Sequence, residues 1–159
     1  KAGEFVYDRP FLWGSKRTGP DLHREGGKNP DTWHFKHMLN PRVTSPGSIM
    51  PRYPWLIYNE LDRSKTQDKI ALLKNVFGAP YSDAEVANAN KLADEQAAKV
   101  VEGIYSGDPD IKTAIAEQKA KEGDKFVPLE KREIVALIAY LQRLGTDIKT
   151  SEVKTASNN

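Results

Sequence analysis

Pro128-Leu-Glu-Lys-Arg-Glu-Ile-Val-Ala-Leu-Ile-Ala-Tyr-Leu-Gln-Arg-Leu-Gly145 decides the fold class. Ile134, Leu137, Ile138, Leu141 and Leu144 recur at spacings of three and four, which puts them on one face of a helix. Pro128 suits the first turn, where its missing N–H costs nothing, and Gly145 suits a left-handed stop. A face of five aliphatic side chains must be buried against another element, so this helix needs partners.

Working back along the chain, the same period recurs. Asp108-Pro109 opens a helical stretch with Ile111 and Ile115, which fades into charged sequence stopped by Gly123. Ser82 and Glu85 form a capping box ahead of Val86, Ala89, Ala93, Ala97, Val100 and Ile104, which predicts one long helix. Ser64 and Gln67 suggest a second capping box, leading a helix with Ile70, Leu72, Leu73 and Val76 toward Gly78. Asn29-Pro30-Asp31 predicts a helix start, and that helix must end before Pro41. Strand alternation of useful length is absent, so the expected class is all-α with long ordered loops. Residues 1–146 are expected to form one domain and 147–159 a flexible tail. Within 1–27, Phe5, Tyr7, Phe11 and Trp13 point to an ordered, packed loop, because a disordered segment carries few aromatics.

Composition excludes several function classes. The 159 residues include 24 basic and 22 acidic side chains, a formal net charge of +2, spread without a block of one sign. Nothing in that pattern favours nucleic acid or anionic lipid. A mean hydropathy of −0.64 and the lack of any run of about 18 apolar residues give no expected membrane span. There is no cysteine, which removes thiolate metal sites, cysteine nucleophiles and thioether-linked haem from these residues. Phosphate loops, serine elbows and HExxH patterns are also missing, so no catalytic residue is assigned and the chain is not expected to be an enzyme on its own.

Two groups remain with chemistry of their own. His34 and His37, three apart on a predicted helix, can share a face toward a metal, although two histidines fall short of a closed zinc site. Met50 lies among Pro46, Pro51 and Pro54 on an extended loop, where a soft thioether can either ligate haem iron or fill a gap beside Tyr53 and Trp55.

Gly19-Pro20-Asp21-Leu22, Met50-Pro51 and the closing helix with Tyr140 occur in an order that resembles class I cytochromes c. Trp13-Gly-Ser-Lys-Arg-Thr-Gly-Pro-Asp-Leu22, Ser48-Ile-Met-Pro51 with Tyr53-Pro54, Phe77-Gly-Ala-Pro-Tyr-Ser82 and Leu141-Gln-Arg-Leu-Gly145 are similar to the monohaem subunit of cbb3-type cytochrome c oxidases. The resemblance implies an electron-transfer subunit that passes electrons through haem c toward the oxygen-reducing haem-copper subunit, beside other cytochrome c subunits, at the periplasmic face of the bacterial inner membrane. It implies Met50 as the axial iron ligand, Gly19 and Pro20 as the loop that orients the proximal histidine, and Trp13, Arg17 and Tyr53 near the haem, with Arg17 either forking a propionate or pinning its loop to a backbone carbonyl. The family's Cys-X-X-Cys-His motif and first helix are expected upstream of Lys1, and none of His23, His34 and His37 takes the proximal-ligand place. These residues alone are therefore expected to be haem-free and inactive. The alternative is a haem-free interaction or scaffold module on a cytochrome frame. Without that first helix, the apolar face of the last one needs another cover, either the segment from Ser82 to Lys121 or a second copy of the chain.

Overall fold

The computed structural model describes Leu22 and residues 25–146. Trp13, Arg17, Gly19, Pro20, His23, the aromatic loop before Leu22 and the expected tail 147–159 lie outside the described residues. Among those described, eight α-helices follow one another: α1 (Asp31–Leu39), α2 (Pro41–Thr44), α3 (Trp55–Tyr58), α4 (Thr66–Phe77), α5 (Asp83–Ala87), α6 (Ala89–Gly107), α7 (Pro109–Glu122) and α8 (Glu133–Arg143), with 3-10 turns at Gly123–Lys125 and Leu129–Lys131. No strand occurs among the described residues, and the class is all-α. The chain divides into two compact units, one of 29–140 and one of 1–28 with 141–159.

In the larger unit the core is one cluster: Phe35 of α1, Ile57 of α3, Ala97, Val100, Val101 and Ile104 of α6, Leu129, and Ile134, Val135 and Ile138 of α8. Ile104, Ile134 and Ile138 are 0% exposed. The middle of the chain, through α6, thus supplies cover for the apolar face of α8. Of the stripe its spacing predicts, Ala89, Ala97, Val100 and Ile104 are buried, Ala93 is half-buried, and Val86 falls on α5, also half-buried. Tyr140, named above with the closing helix, is 61% exposed.

Four expected helix boundaries move, each for a local reason. α8 begins at Glu133 and not at Pro128, because Arg132 is extended (φ −88°, ψ 151°) and bridges to Glu60. The long helix expected from Ser82 is interrupted at Asn88, whose side-chain amide donates to the Ala84 carbonyl at 2.9 Å and so competes with the backbone ladder. The Ser82–Glu85 capping box itself is present in both halves. The Ser64 box is not: α4 starts after Lys65 without a side-chain cap, and the Ser64 N–H donates to the Asp62 carboxylate at 2.9 Å. α1 starts one residue later than expected, with Pro30 itself at the cap.

α1 crosses α6 at close range. The Thr32 hydroxyl donates toward the Gly103 and Ile104 carbonyls at 3.1 and 3.0 Å. A Cβ on Gly107 would stand 2.1 Å from that hydroxyl oxygen, and one on Gly103 would stand 2.3 Å from an Asp31 carboxylate oxygen. Lys36 of α1 reaches Asp108 at 2.6 Å, and Asp108 also caps α7 by accepting from the Asp110 N–H at 3.0 Å.

In the smaller unit, the Gly26 N–H donates to the Leu144 carbonyl at 2.9 Å and the Gly27 N–H to the Gln142 side chain at 2.9 Å. A Cβ at Gly26 would lie 2.4 Å from the Gln142 carbonyl oxygen, so the position admits only glycine.

Two outcomes follow. Gly107→Ala should destabilise the protein by about 1–3 kcal/mol, because buried Thr32 cannot retreat, whereas Gly103→Ala should cost clearly less, since a carboxylate end can swing aside; urea midpoints compare the two. Asp108 is held below the ordinary carboxylate value by Lys36 first and by the Asp110 N–H next. Its contribution is therefore complete above the ordinary value, about pH 4, and is lost as pH falls through the lowered one. Melting temperature against pH should fall less steeply below about pH 4 in Asp108→Asn, which keeps capping ability but loses the pair.

Candidate functional site

The site begins where α1 ends. α2 follows at once from Pro41, and the chain then turns through Pro46 and Gly47, whose φ of +81° is a left-handed value suited to glycine. The Ser48 N–H donates to the Ser45 carbonyl at 3.1 Å, and the Ser48 hydroxyl accepts from the Met50 N–H at 3.2 Å. Pro51 fixes the residue after Met50, and the Tyr53 N–H returns the chain to α1 by donating to the Met38 carbonyl at 2.9 Å. Tyr53 meets Trp55 edge to face at 5.3 Å. Ile49 is 80% exposed while Met50 is half-buried. The loop is thus closed by backbone bonds at its base, with a thioether near its tip, and a thioether is a soft ligand suited to iron or copper.

Downstream, residues 57–61 are tied to the start of α8. The Leu61 N–H donates to the Lys131 carbonyl at 2.8 Å, the Glu133 N–H to the Asn59 carbonyl at 3.1 Å, and the Asn59 side chain to the Glu133 carboxylate at 3.3 Å. Between them lies Arg132, only 1% exposed. Its Nε donates to the Val127 carbonyl at 2.9 Å, Nη1 to the Ile57 carbonyl at 3.0 Å and Nη2 to Gln118 Oε1 at 3.1 Å, and the Phe126 ring lies 5.2 Å from the guanidinium carbon. Burial pushes its pKa down, with Glu122 and Tyr105 pulling the other way; an arginine so placed still carries its charge. Nothing in the sequence reading singled out Arg132. The available signal was its position three residues before Val135, on the side of the chain that runs into the apolar face.

The two histidines make different contacts. His34 is buried and His37 half-buried. The Trp33 indole stacks on the His37 ring at 4.4 Å and meets the His34 ring edge-on at 5.3 Å. His37 Nδ1 and the Thr44 hydroxyl share a hydrogen bond of 2.5 Å. Among the described residues no three ligating side chains of histidine, aspartate or glutamate cluster.

An open cleft of about 430 Å³ is lined by Glu60, Leu61, Asp62, Arg63 and Lys131. Two of its charged groups are engaged locally: Arg63 pairs with Asp94 at 2.6 Å, and hydrogen bonds from Ser64 hold Asp62 below the ordinary carboxylate value. Of the residues that the sequence brought forward for a haem site, Met50 and Tyr53 are described and share one loop.

A family model described as cytochrome c oxidase, mono-heme subunit/FixO, matches residues 1–148. No curated protein matches the chain. None of the helices among the described residues is long and apolar enough to cross a membrane.

Calorimetric titration with Zn²⁺ should give the same result for the native protein and for His37→Ala; a stoichiometric site that disappears in the variant would restore the two-histidine reading.

Proposed function

Since the chain belongs to the FixO family of mono-heme cytochrome c oxidase subunits, we propose that it is the electron-transfer subunit of a cbb3-type oxidase and that Met50 is an axial ligand of its haem c. The observation that carries this is the state of Met50: a half-buried thioether on a loop closed by the Ser48 hydroxyl and by the bond from Tyr53 to Met38. A soft sulfur donor on a stiff loop fits one axial position of haem iron, and methionine ligation favours the reduced state. When bound, the haem supplies the one-electron chemistry. The protein's part is to hold, orient and cover it.

The remaining assignments carry the family resemblance over to this chain. Gly19 and Pro20 form the loop whose carbonyl orients the second axial ligand, a histidine. Trp13, Arg17 and Tyr53 border the haem, Arg17 offering a guanidinium fork to a propionate. The chain has no cysteine, so the thioether links come from outside these 159 residues and this stretch alone attaches no haem. Electrons pass to the haem-copper subunit that reduces oxygen, with the other cytochrome c subunits as neighbours, at the periplasmic face of the inner membrane.

The same lack of cysteine favours a second reading, a haem-free scaffold module that has kept the frame. The visible spectrum of the full-length subunit, expressed with haem-attachment machinery, separates the two. A low-spin c-type spectrum is expected, whose weak methionine-to-iron band is lost in Met50→Ala together with a fall in reduction potential. Covalent haem with an unchanged band would remove Met50 from the site, and no covalent haem at all would favour the scaffold.

A further inference from the structure

We propose that Arg132 is a positioning residue for Met50: a buried clamp that holds the downstream end of the Met50 loop and thereby sets how firmly the thioether stays on the iron. The inference rests on the ligand reading above and adds to it a residue more than eighty positions away in sequence.

Three observations support it. The guanidinium donates to oxygens from three separate segments, Ile57 on α3, Val127 before the 3-10 turn and Gln118 on α7. Among the described residues no carboxylate lies within ion-pair distance of it. Its hydrogen bonds therefore all go to neutral oxygens beside the Phe126 ring, with the carboxylates of Glu122 and Glu130 acting only from longer range, an arrangement that depends on each acceptor staying in place. Lysine offers one nitrogen, and cannot meet three acceptors spread around a planar fork.

The second observation concerns the path to Met50. Between Met50 and Ile57 the chain contains Pro51 and Pro54, each with a restricted φ. The Ile57 N–H donates to the Pro54 carbonyl at 3.0 Å, and the Ile57 side chain is buried in the core. A segment so stiffened transmits a shift at Ile57 back to the loop with little slack. The third is that the loop's base is held at Tyr53 through Met38, so Arg132 and Met38 fix the segment at two points while the tip with Ile49 stays exposed. A loop whose downstream side is held at Tyr53 and again at Ile57 resists displacement of its sulfur ligand by competing bases as pH rises. Loss of one hold lowers that resistance.

The test uses the full-length haem-loaded subunit and follows the methionine-to-iron band of the ferric protein as pH is raised. Arg132→Lys should lose the band about one pH unit lower, a roughly tenfold easier displacement, and Gln118→Ala, which removes a single half-buried acceptor, should shift it in the same direction by less. Ser82→Ala, which removes the capping box of α5 away from both the clamp and α1, should lower the melting temperature and leave the band's midpoint where it was. If Arg132→Lys does not fold, Gln118→Ala against Ser82→Ala decides. Midpoints unchanged in the Arg132 and Gln118 variants, or shifted equally in Ser82→Ala, overturn the inference alone. A band that survives in Met50→Ala overturns the ligand reading and this inference with it.

Discussion

A guanidinium shut away from water is costly unless its donors are met, and in this protein the donors of Arg132 are met by oxygens of three different segments. The cost fixes the geometry. α3 cannot drift from α8, nor α7 from the chain leading into α8, without leaving a buried positive charge short of an acceptor. The extended backbone at Arg132, which delays the start of α8 until Glu133, has the same origin. With Arg132 extended, its neighbours Lys131 and Glu133 can bond Leu61 and Asn59.

Around that polar knot the packing is aliphatic and dense. α6 contributes Val100, Val101 and Ile104 to the cluster that holds Ile134, Val135 and Ile138 of α8. Its C-terminal end approaches α1 so closely that Gly107 leaves no room for a methyl group beside Thr32. The two features divide the work. The α1–α6 crossing orients the helix from which the Met50 loop departs, and the Arg132 bonds hold the segment to which it returns.

Much of this was legible in the residues. The stripe of α6, the stop at Gly78, the Asp108 cap of α7 and the apolar face of α8 are short-range signals, each determined within about one or two turns of helix. The stiff loop around Met50 was legible because prolines surround it. What escaped depends on residues distant in sequence or on competition between equals. Arg132 looks like any surface arginine until Ile57, Val127 and Gln118 converge on it. Ser64 looks like a cap until Asp62 takes its N–H. Asn88 sits in a helical period and interrupts it through its own side chain. The haem-site readings for Pro20 and Arg17 came from family likeness, not from any pattern in their spacing.

α4 stands apart from this network. It has no buried residue, and Leu72, Leu73, Val76 and Phe77 are all exposed. Its firmest ties are the glycine cap at Gly78 and the ion pair from Lys74 to Asp83, both near the surface. Helices held so lightly open by local fluctuation, at a free energy well below that of unfolding the whole molecule. Two grades of cooperativity are the expected consequence: α6 and α8 should open with the core, and α4 ahead of it.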